Sequence, residues 1–344
     1  MPSDRLLTAF EQLALIVGTP RALYPNDARF GDYLKDETYL TGAAELVLQP
    51  QSQKEVVAIL QEVKALREKI PHEKKHLSLT LRGGGSGLSG AAVPSSGIVL
   101  DLSHLKKIFE IDEKNLIIHA ECGIILAELN QALADTSFYY AVDPSSSALC
   151  TLGGSIATNA AGPSSLKYGT TRQQLASLHF LHTTGAIVQA GSIPNKTSMG
   201  FSLPDILCGS EGRLGIILDA TVRLTPRAET TTLILAPFTS ESDAIDFVFT
   251  LKQSGIRAKC IEFIDAYSLA VADFHSQSGA LLMIELDGFE KQVALEVERL
   301  IELAPTLHFV AAQSEKDRAR LWTKRKSITG ALKQRFAFKL GEDI

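Results

Sequence analysis

Apolar residues along this chain switch repeatedly between helical spacing and strict alternation. Leu6, Leu7, Phe10, Leu13 and Val17 recur at helical spacing and predict an amphipathic N-terminal helix. Residues 44–49 read as a strand that Pro50 ends. Ser52-x-x-Glu55 has the form of a capping box, and Val56, Ile59, Leu60, Val63 and Leu66 give the following helix one apolar face. Leu77, Leu79 and Leu81 then alternate with smaller or polar residues, as a half-buried strand does. This strand–helix–strand unit runs straight into Arg82-Gly83-Gly84-Gly85-Ser86-Gly87-Leu88-Ser89-Gly90.

A loop with so few Cβ atoms lets backbone N–H groups turn inward around an anion, and Ser86 and Ser89 add hydroxyl donors. The expected ligand is the pyrophosphate of a dinucleotide. Gly85-x-Gly87-x-x-Gly90 matches the Rossmann fingerprint in letters, but that fingerprint needs a helix after it. Here Pro94 and Gly97 stand where the helix interior would be, and residues 98–102 read as a second strand. The Rossmann reading is therefore rejected, and the glycines alone leave the dinucleotide open.

Short strands follow at 108–111 and 116–120, with a turn at 112–115, and Gly123 precedes a helix carrying Ile125, Leu129 and Leu133. Residues 143–172 are rich in Gly, Ser, Thr, Ala and Asn and poor in charge. Such a composition predicts backbone packed closely against something flat and large, with Gly153-Gly154-Ser155 and Ala160-Ala161-Gly162 as the points of approach. Lys167-Tyr168-Gly169 adds a cation and an aromatic ring. A third glycine-rich piece, residues 208–217, leads into an alternating strand at 218–224 that Pro226 ends. Three such pieces on a framework of strands imply one large ligand touched from three sides. Beyond a linker at 225–230, strands at 231–238, 258–264, 281–286 and 307–311 alternate with helices at 242–253 and 292–303, the order of a separate α+β domain.

Composition narrows the class. The chain has 344 residues, 45% hydrophobic and 21% charged, enough for two globular domains. A net charge of -5 leaves no basic footprint, so nucleic acid is not an expected partner. No apolar run reaches the roughly 18 residues of a membrane span, and the N-terminus, with acids inside it, is a poor signal peptide. Cys122, Cys150, Cys208 and Cys260 are far apart, with no CxxC, and fit buried thiols in a reducing cytosol. The eight His residues show no ligand spacing, so no metal site is expected. His179 and His182 read as core or strand-edge residues, and His72 and His76 lie in a charged loop.

RGGGSGLSGAAVP, DPSSSALCTLGGSIATNAAGPSSLKYGTTR and GSEGRLGII resemble, in order and spacing, the FAD domain of the vanillyl-alcohol oxidase / p-cresol methylhydroxylase superfamily. Within it they look most like the D-2-hydroxyacid branch, which includes D-lactate and D-2-hydroxyglutarate dehydrogenases and the glycolate oxidase flavin subunit. The resemblance is strong over residues 44–226. It implies an α+β chain: a two-subdomain FAD-binding domain of the p-cresol methylhydroxylase type over residues 1–226, then an α+β substrate cap over 227–344. Carried over residue by residue, it implies FAD contacts at Arg82, Gly83, Gly84, Gly85, Ser86, Gly87 and Leu88 in the pyrophosphate loop. It implies further contacts at Pro144, Ser145, Gly153, Gly154, Ser155, Thr158, Asn159, Gly162, Tyr168 and Gly169 along the ribityl chain and ring. On the adenine side it implies Glu211, Gly212, Gly215, Ile216 and Ile217. The usual loop has Thr where this one has Ser86, which keeps the hydroxyl.

Oxidising a 2-hydroxy acid requires a clamp for the carboxylate, an exit for the hydroxyl proton and a carbon-bound hydrogen facing the flavin. The planar fork of Arg suits the clamp. Residues 321–332 are helical in pattern, with Arg325 and Thr329 four apart on one face, and Lys339 follows. The basic run Lys324-Arg325-Lys326 would by itself read as a solvated helix face. The stretch resembles the LW-x-x-R-x-x-x-T element and following Lys of the D-2-hydroxyacid family. That resemblance implies Arg325 as carboxylate clamp, Thr329 as hydrogen-bonding partner and Lys339 as second cation. No His stands out as a general base, so no catalytic residue is assigned. Gly341-Glu342-Asp343-Ile344 falls in what reads as the middle of the cap, where the family continues into a His-rich, metal-binding segment.

The expected activity is a FAD-dependent dehydrogenase of D-2-hydroxy acids, cytoplasmic, passing electrons to an acceptor other than NAD. A homo-oligomer, a partner subunit and peripheral membrane contact stay open. The FAD is expected to be non-covalent, because neither the 82–86 loop nor the 143–172 cluster contains a His, although Cys260 and His275 in the cap remain as alternative attachment points. Two other readings stand beside it: a flavin-binding module without turnover, and reductive chemistry with NADPH.

Overall fold

The computed structural model describes residues 3–38, 40–194, 200–274 and 278–336. Two compact units emerge: residues 1–140, 146–160 and 170–225 form the first, and residues 141–145, 161–169 and 226–344 the second.

In the first unit, helix α1 (Asp4–Val17) buries Leu6, Phe10, Leu13 and Val17. Leu7, placed in the same stripe by spacing, is 46% exposed. One residue on from Leu6, it is turned about 100° around the helix, off the stripe that its neighbours form. Strands β1 (Ala22–Leu23), β2 (Leu46–Leu48), β3 (Leu79–Arg82) and β4 (Ile98–Asp101) make a sheet in the order β1-β2-β4-β3. The central β4 runs parallel to β2 and β3. All residues of β2 and residues Ile98, Val99 and Leu100 of β4 are fully buried, the unbroken apolar run of strands covered on both faces. Helix α2 (Gln53–Lys69) makes the crossover from β2 to β3. Its cap is half of the expected box. Ser52 accepts the Glu55 N–H, but the Glu55 carboxylate turns to the Arg21 guanidinium, at 2.7 Å, and the Gln51 N–H. A charged partner outcompetes a backbone N–H for that carboxylate. After β3 the chain passes through turns to β4 without a helix.

Strands β5 (Ile108–Asp112), β6 (Ile117–Glu121), β8 (Leu175–Leu181), β9 (Ile187–Gly191) and β10 (Ile216–Arg223) form a second, antiparallel sheet in the order β5-β6-β10-β8-β9. Helix α3 (Leu126–Ala132) and the short strand β7 (Phe138–Tyr139) follow β6. The small-residue cluster folds into short helices, among them α4 (Leu152–Thr158), capped by Thr151, and α6 (Thr171–Gln174). Helix α7 (Leu203–Leu207) and strand β11 (Thr225–Pro226) complete this part of the chain.

The second unit holds α5 (Ser165–Tyr168) and an antiparallel sheet of β12 (Thr230–Phe238), β13 (Cys260–Asp265), β14 (Ala280–Gly288) and β15 (Val310–Ala311), ordered β13-β14-β12-β15. Alternation along β14 sorts its side chains between two cores. Leu282, Ile284 and Leu286 pack with Ala244, Phe247 and Leu251 of α8 (Glu241–Gln253) and Val293 and Leu300 of α10 (Glu290–Leu303). Leu281 and Met283 pack on the opposite face with Leu269 of α9 (Ala266–Val271) and Leu321 and Ile328 of α11 (Glu315–Arg335). Among the described residues, no helix is long and apolar enough to cross a membrane.

Candidate functional site

The glycine loop after β3 rests on the segment before α4. A Cβ on Gly83 would lie 2.2 Å from Thr151 Oγ1, and one on Gly84 would lie 1.9 Å from the Leu149 carbonyl oxygen. Gly85 has a φ of 63°, a conformation that glycine adopts without strain. Beneath it the Arg82 guanidinium donates to the carbonyls of Lys35, at 2.7 Å, and Asp32, at 3.0 Å. Burial holds the Arg82 pKa below its ordinary value. Arg82 thus ties the base of the loop to residues 32–35.

Above that base the loop is open. Among the described residues, the N–H groups of Gly84 to Gly90 and the hydroxyls of Ser86 and Ser89 meet no acceptor. Seven backbone donors and two hydroxyls on a nearly side-chain-free turn fit an anionic diphosphate. A Cβ on Gly87 would meet nothing within 4 Å. Ser89→Ala removes one hydroxyl of this donor set and leaves the backbone intact. Cofactor retention is expected to weaken about five-fold, the effect of one hydrogen bond, as read by flavin released on dilution.

The three sequence pieces meet pairwise within the first unit. Gly83 and Gly84 sit on residues 149–151; Gly212 sits over Leu81 of β3, where a Cβ would come within 2.8 Å of its side chain. The N–H groups of Gly209 and Glu211 donate to the carbonyls of Ile156 and Ala157 in α4. Asn159, at a φ of 50°, accepts from the Thr170 hydroxyl at 2.9 Å and the Arg172 N–H at 3.0 Å, fixing the chain after α4. Ser155 is buried and donates to the Leu152 carbonyl, while Thr158 is exposed. Gly215 lies over the Phe180 ring, and Ile216 and Ile217 are buried in β10.

Gly153 and Gly162, two of the predicted points of approach to a ligand, also pack closely on the protein itself. A Cβ on Gly153 would lie 2.7 Å from the Cys122 side chain, and one on Gly162 2.4 Å from Asp143. These glycines, with Gly83, Gly84, Gly212 and Gly215, let the protein pack on itself. Gly154 has only Thr151 Oγ1 near it, at 3.1 Å, and keeps room beside it.

The other predicted positions belong to the second unit. Pro144 is buried, Ser145 is exposed, and Gly169 ends α5 at a φ of 82°. The Tyr168 hydroxyl donates to Asp287 Oδ2 at 2.8 Å, and Lys167 Nζ meets Oδ1 of the same, fully buried carboxylate at 2.6 Å. Two residues back on β14, buried Glu285 accepts from Lys259 and from the Trp322 indole N–H, each at 2.7 Å. Trp322 therefore docks α11 onto an acid of the sheet.

Arg325, on the next turn of α11, is 30% exposed. Its Nε and Nη2 both reach Glu262 Oε2 of β13, at 2.5 Å. One carboxylate oxygen thus takes two of the five guanidinium donors, and among the described residues nothing meets Nη1. Thr329, four residues on, is half-buried. Lys339 and His275 lie outside the described residues.

Sequence spacing missed one cluster. His119 of β6 and His179 of β8 converge on Asp219 of β10. Strand register alone brings them together, across 40 to 100 residues of chain.

Comparison with known proteins agrees with this geometry. A family model described as "FAD binding domain" matches residues 44–191, and one described as "FAD linked oxidases, C-terminal domain" matches residues 227–344. The D-lactate dehydrogenase of Archaeoglobus fulgidus is 32% identical over 323 residues, covering 90% of this chain and 69% of that protein. The "Glycolate oxidase subunit GlcD" of Escherichia coli (strain K12) is 33% identical over 297 residues, 83% of this chain and 58% of that protein. This chain spans a little over half the length of that relative. The solved structure of p-cresol methylhydroxylase superimposes with a TM-score of 0.79 at 13% identity, over 95% of this chain and 70% of the other, and shows the same fold. An alkyldihydroxyacetonephosphate synthase gives a TM-score of 0.78 at 18% identity, over 98% of this chain and 67% of the other. The class is that of FAD-binding oxidoreductases with a p-cresol methylhydroxylase-type fold. Within it, this chain belongs to the FAD-linked oxidase family.

Proposed function

We propose that this chain takes part in oxidising a small D-2-hydroxy acid, such as D-lactate, D-2-hydroxyglutarate or glycolate, to the 2-oxo acid. The observation that carries the reading is Arg325, held in a fixed orientation by one oxygen of Glu262, with its Nη1 donors meeting nothing among the described residues. A planar, pre-oriented guanidinium edge binds a carboxylate bidentately. Thr329, one turn further along α11, would hydrogen-bond the same substrate, and Lys339 would add a second cation. The names of the relatives, a D-lactate dehydrogenase and a glycolate oxidase subunit, support this substrate class.

The first unit would hold FAD by its pyrophosphate, through the N–H groups of residues 84–90 and the hydroxyls of Ser86 and Ser89. Bound there, FAD supplies the two-electron acceptor for the substrate's carbon-bound hydrogen. Electrons would then pass to an acceptor other than NAD, and the word "subunit" in a relative's name favours a partner polypeptide.

Anaerobic mixing with each of the three acids is the test. Bleaching of the flavin band by at least one of them is expected. A folded, yellow protein that none of them bleaches would point to a flavin-binding module without turnover, and bleaching by NADPH alone to reductive chemistry.

The flavin is proposed to be non-covalent. The loop from Arg82 to Ser86 contains no His. Burial pushes the thiols of Cys150 and Cys260 above their ordinary pKa, which leaves them poor nucleophiles. Acid precipitation should give a yellow supernatant over a colourless pellet. Flavin that stays in the washed pellet and moves with the protein on a denaturing gel would overturn this.

A further inference from the structure

His119, His179 and Asp219 have no part in the proposed oxidation. They project from β6, β8 and β10, three adjacent strands with β10 in the middle. Asp219 Oδ1 meets His119 Nε2 at 2.8 Å and His179 Nδ1 at 2.7 Å, and the Gln53 amide donates to Oδ2 at 2.9 Å. The Asp219 side chain is 6% exposed, whereas the two imidazoles are 27% and 36% exposed and open one side of the cluster to solvent. One ligand atom from each residue lies within 4.8 Å of the other two.

We propose that these three side chains form a binding site for a divalent transition-metal ion of the zinc type, with water as a fourth ligand. Two imidazole nitrogens and a carboxylate oxygen are a donor set that zinc takes readily. Bonds of about 2.0–2.2 Å in a tetrahedron place neighbouring ligand atoms roughly 3.3 Å apart, so each ring nitrogen would retreat from Oδ1 by about 0.5 Å while the two ring nitrogens, within 4.8 Å of each other, adjust to the same spacing. Each ring keeps one proton, which moves to the nitrogen that does not bind metal. Gln53 would continue to orient the carboxylate through Oδ2, as outer-sphere partners do. The Phe109 ring, 4.7 Å from that of His119, forms an apolar wall beside it. An ion here would pin three strands of one sheet and the first residue of α2 together, a structural role that needs no redox chemistry.

The test is equilibrium dialysis of the chelator-stripped, flavin-loaded protein against Zn2+, with bound metal and the thermal midpoint measured. The partly exposed His179 makes His179→Ala the less disruptive variant, and His119→Gln serves as the second. Wild type is expected to bind one ion more than either variant at limiting Zn2+, with affinity at this site about 100-fold higher. Zn2+ should raise the thermal midpoint of wild type and leave that of the variants unmoved. Comparison between variants cancels any ion held elsewhere on the chain. Equal stoichiometry and affinity in all three proteins, or no bound metal in any, would overturn the site.

Discussion

Replacing Arg325 by lysine is expected to raise the 2-hydroxy acid concentration needed for half-maximal flavin reduction about 30-fold or more. The flavin content should not change. In the native chain one Glu262 oxygen occupies Nε and Nη2, and among the described residues nothing occupies the Nη1 side of the fork. A lysine ammonium is a point charge. It can meet Glu262 or a substrate carboxylate, but it has no second planar edge to offer while the first is held. Losing a charge-assisted hydrogen bond of this kind costs about 2 kcal/mol, which sets the expected factor. The flavin-binding loop belongs to the other unit, so absorbance per mole of protein serves as an internal control. Wild-type concentration dependence in the variant would reduce Arg325 to a structural partner of Glu262.

Gly85→Val should yield a folded but colourless protein. Two effects act at that position. The φ of 63° is one that a β-branched residue adopts only under strain, and the new Cβ would lie 2.1 Å from Arg82 Nη2. Relieving the clash means drawing the guanidinium off the Lys35 and Asp32 carbonyls that anchor the loop. Strain and lost hydrogen bonds together amount to about 3 kcal/mol or more, enough to empty the site at ordinary protein concentrations. The buried strands β2 and β4 are untouched, so far-ultraviolet circular dichroism should match wild type. A variant that purifies yellow with the normal flavin ratio would place the diphosphate elsewhere.

Much of the fold was legible in the chain because single elements carry their own periodicity. The apolar stripe of α2 and the unbroken apolar runs of β12 and β14 are visible within each segment by itself. The short helices of the 143–172 cluster were not legible, since four to seven small residues make too little of a stripe to read. Glycine positions were visible, but their purpose was not: a missing Cβ looks the same whether a ligand or the protein's own backbone fills the space. Glu262 as the partner of Arg325, and the convergence of His119, His179 and Asp219, arise from tertiary packing and sheet register between distant stretches. No local pattern encodes either.

Two short stretches of the chain, residues 141–145 and 161–169, belong with the residues after Pro226 and not with their own neighbours. On the ribosome, Lys167 and Tyr168 emerge more than a hundred residues before Asp287, the acid that both of them bind. The second unit is therefore non-contiguous, and its construction waits on β14. A gene split near codon 226 would separate that buried carboxylate from its only described salt-bridge cation, a loss of about 3–5 kcal/mol. Dissection of this protein into two self-sufficient halves has to carry the 161–169 strap along with the later half.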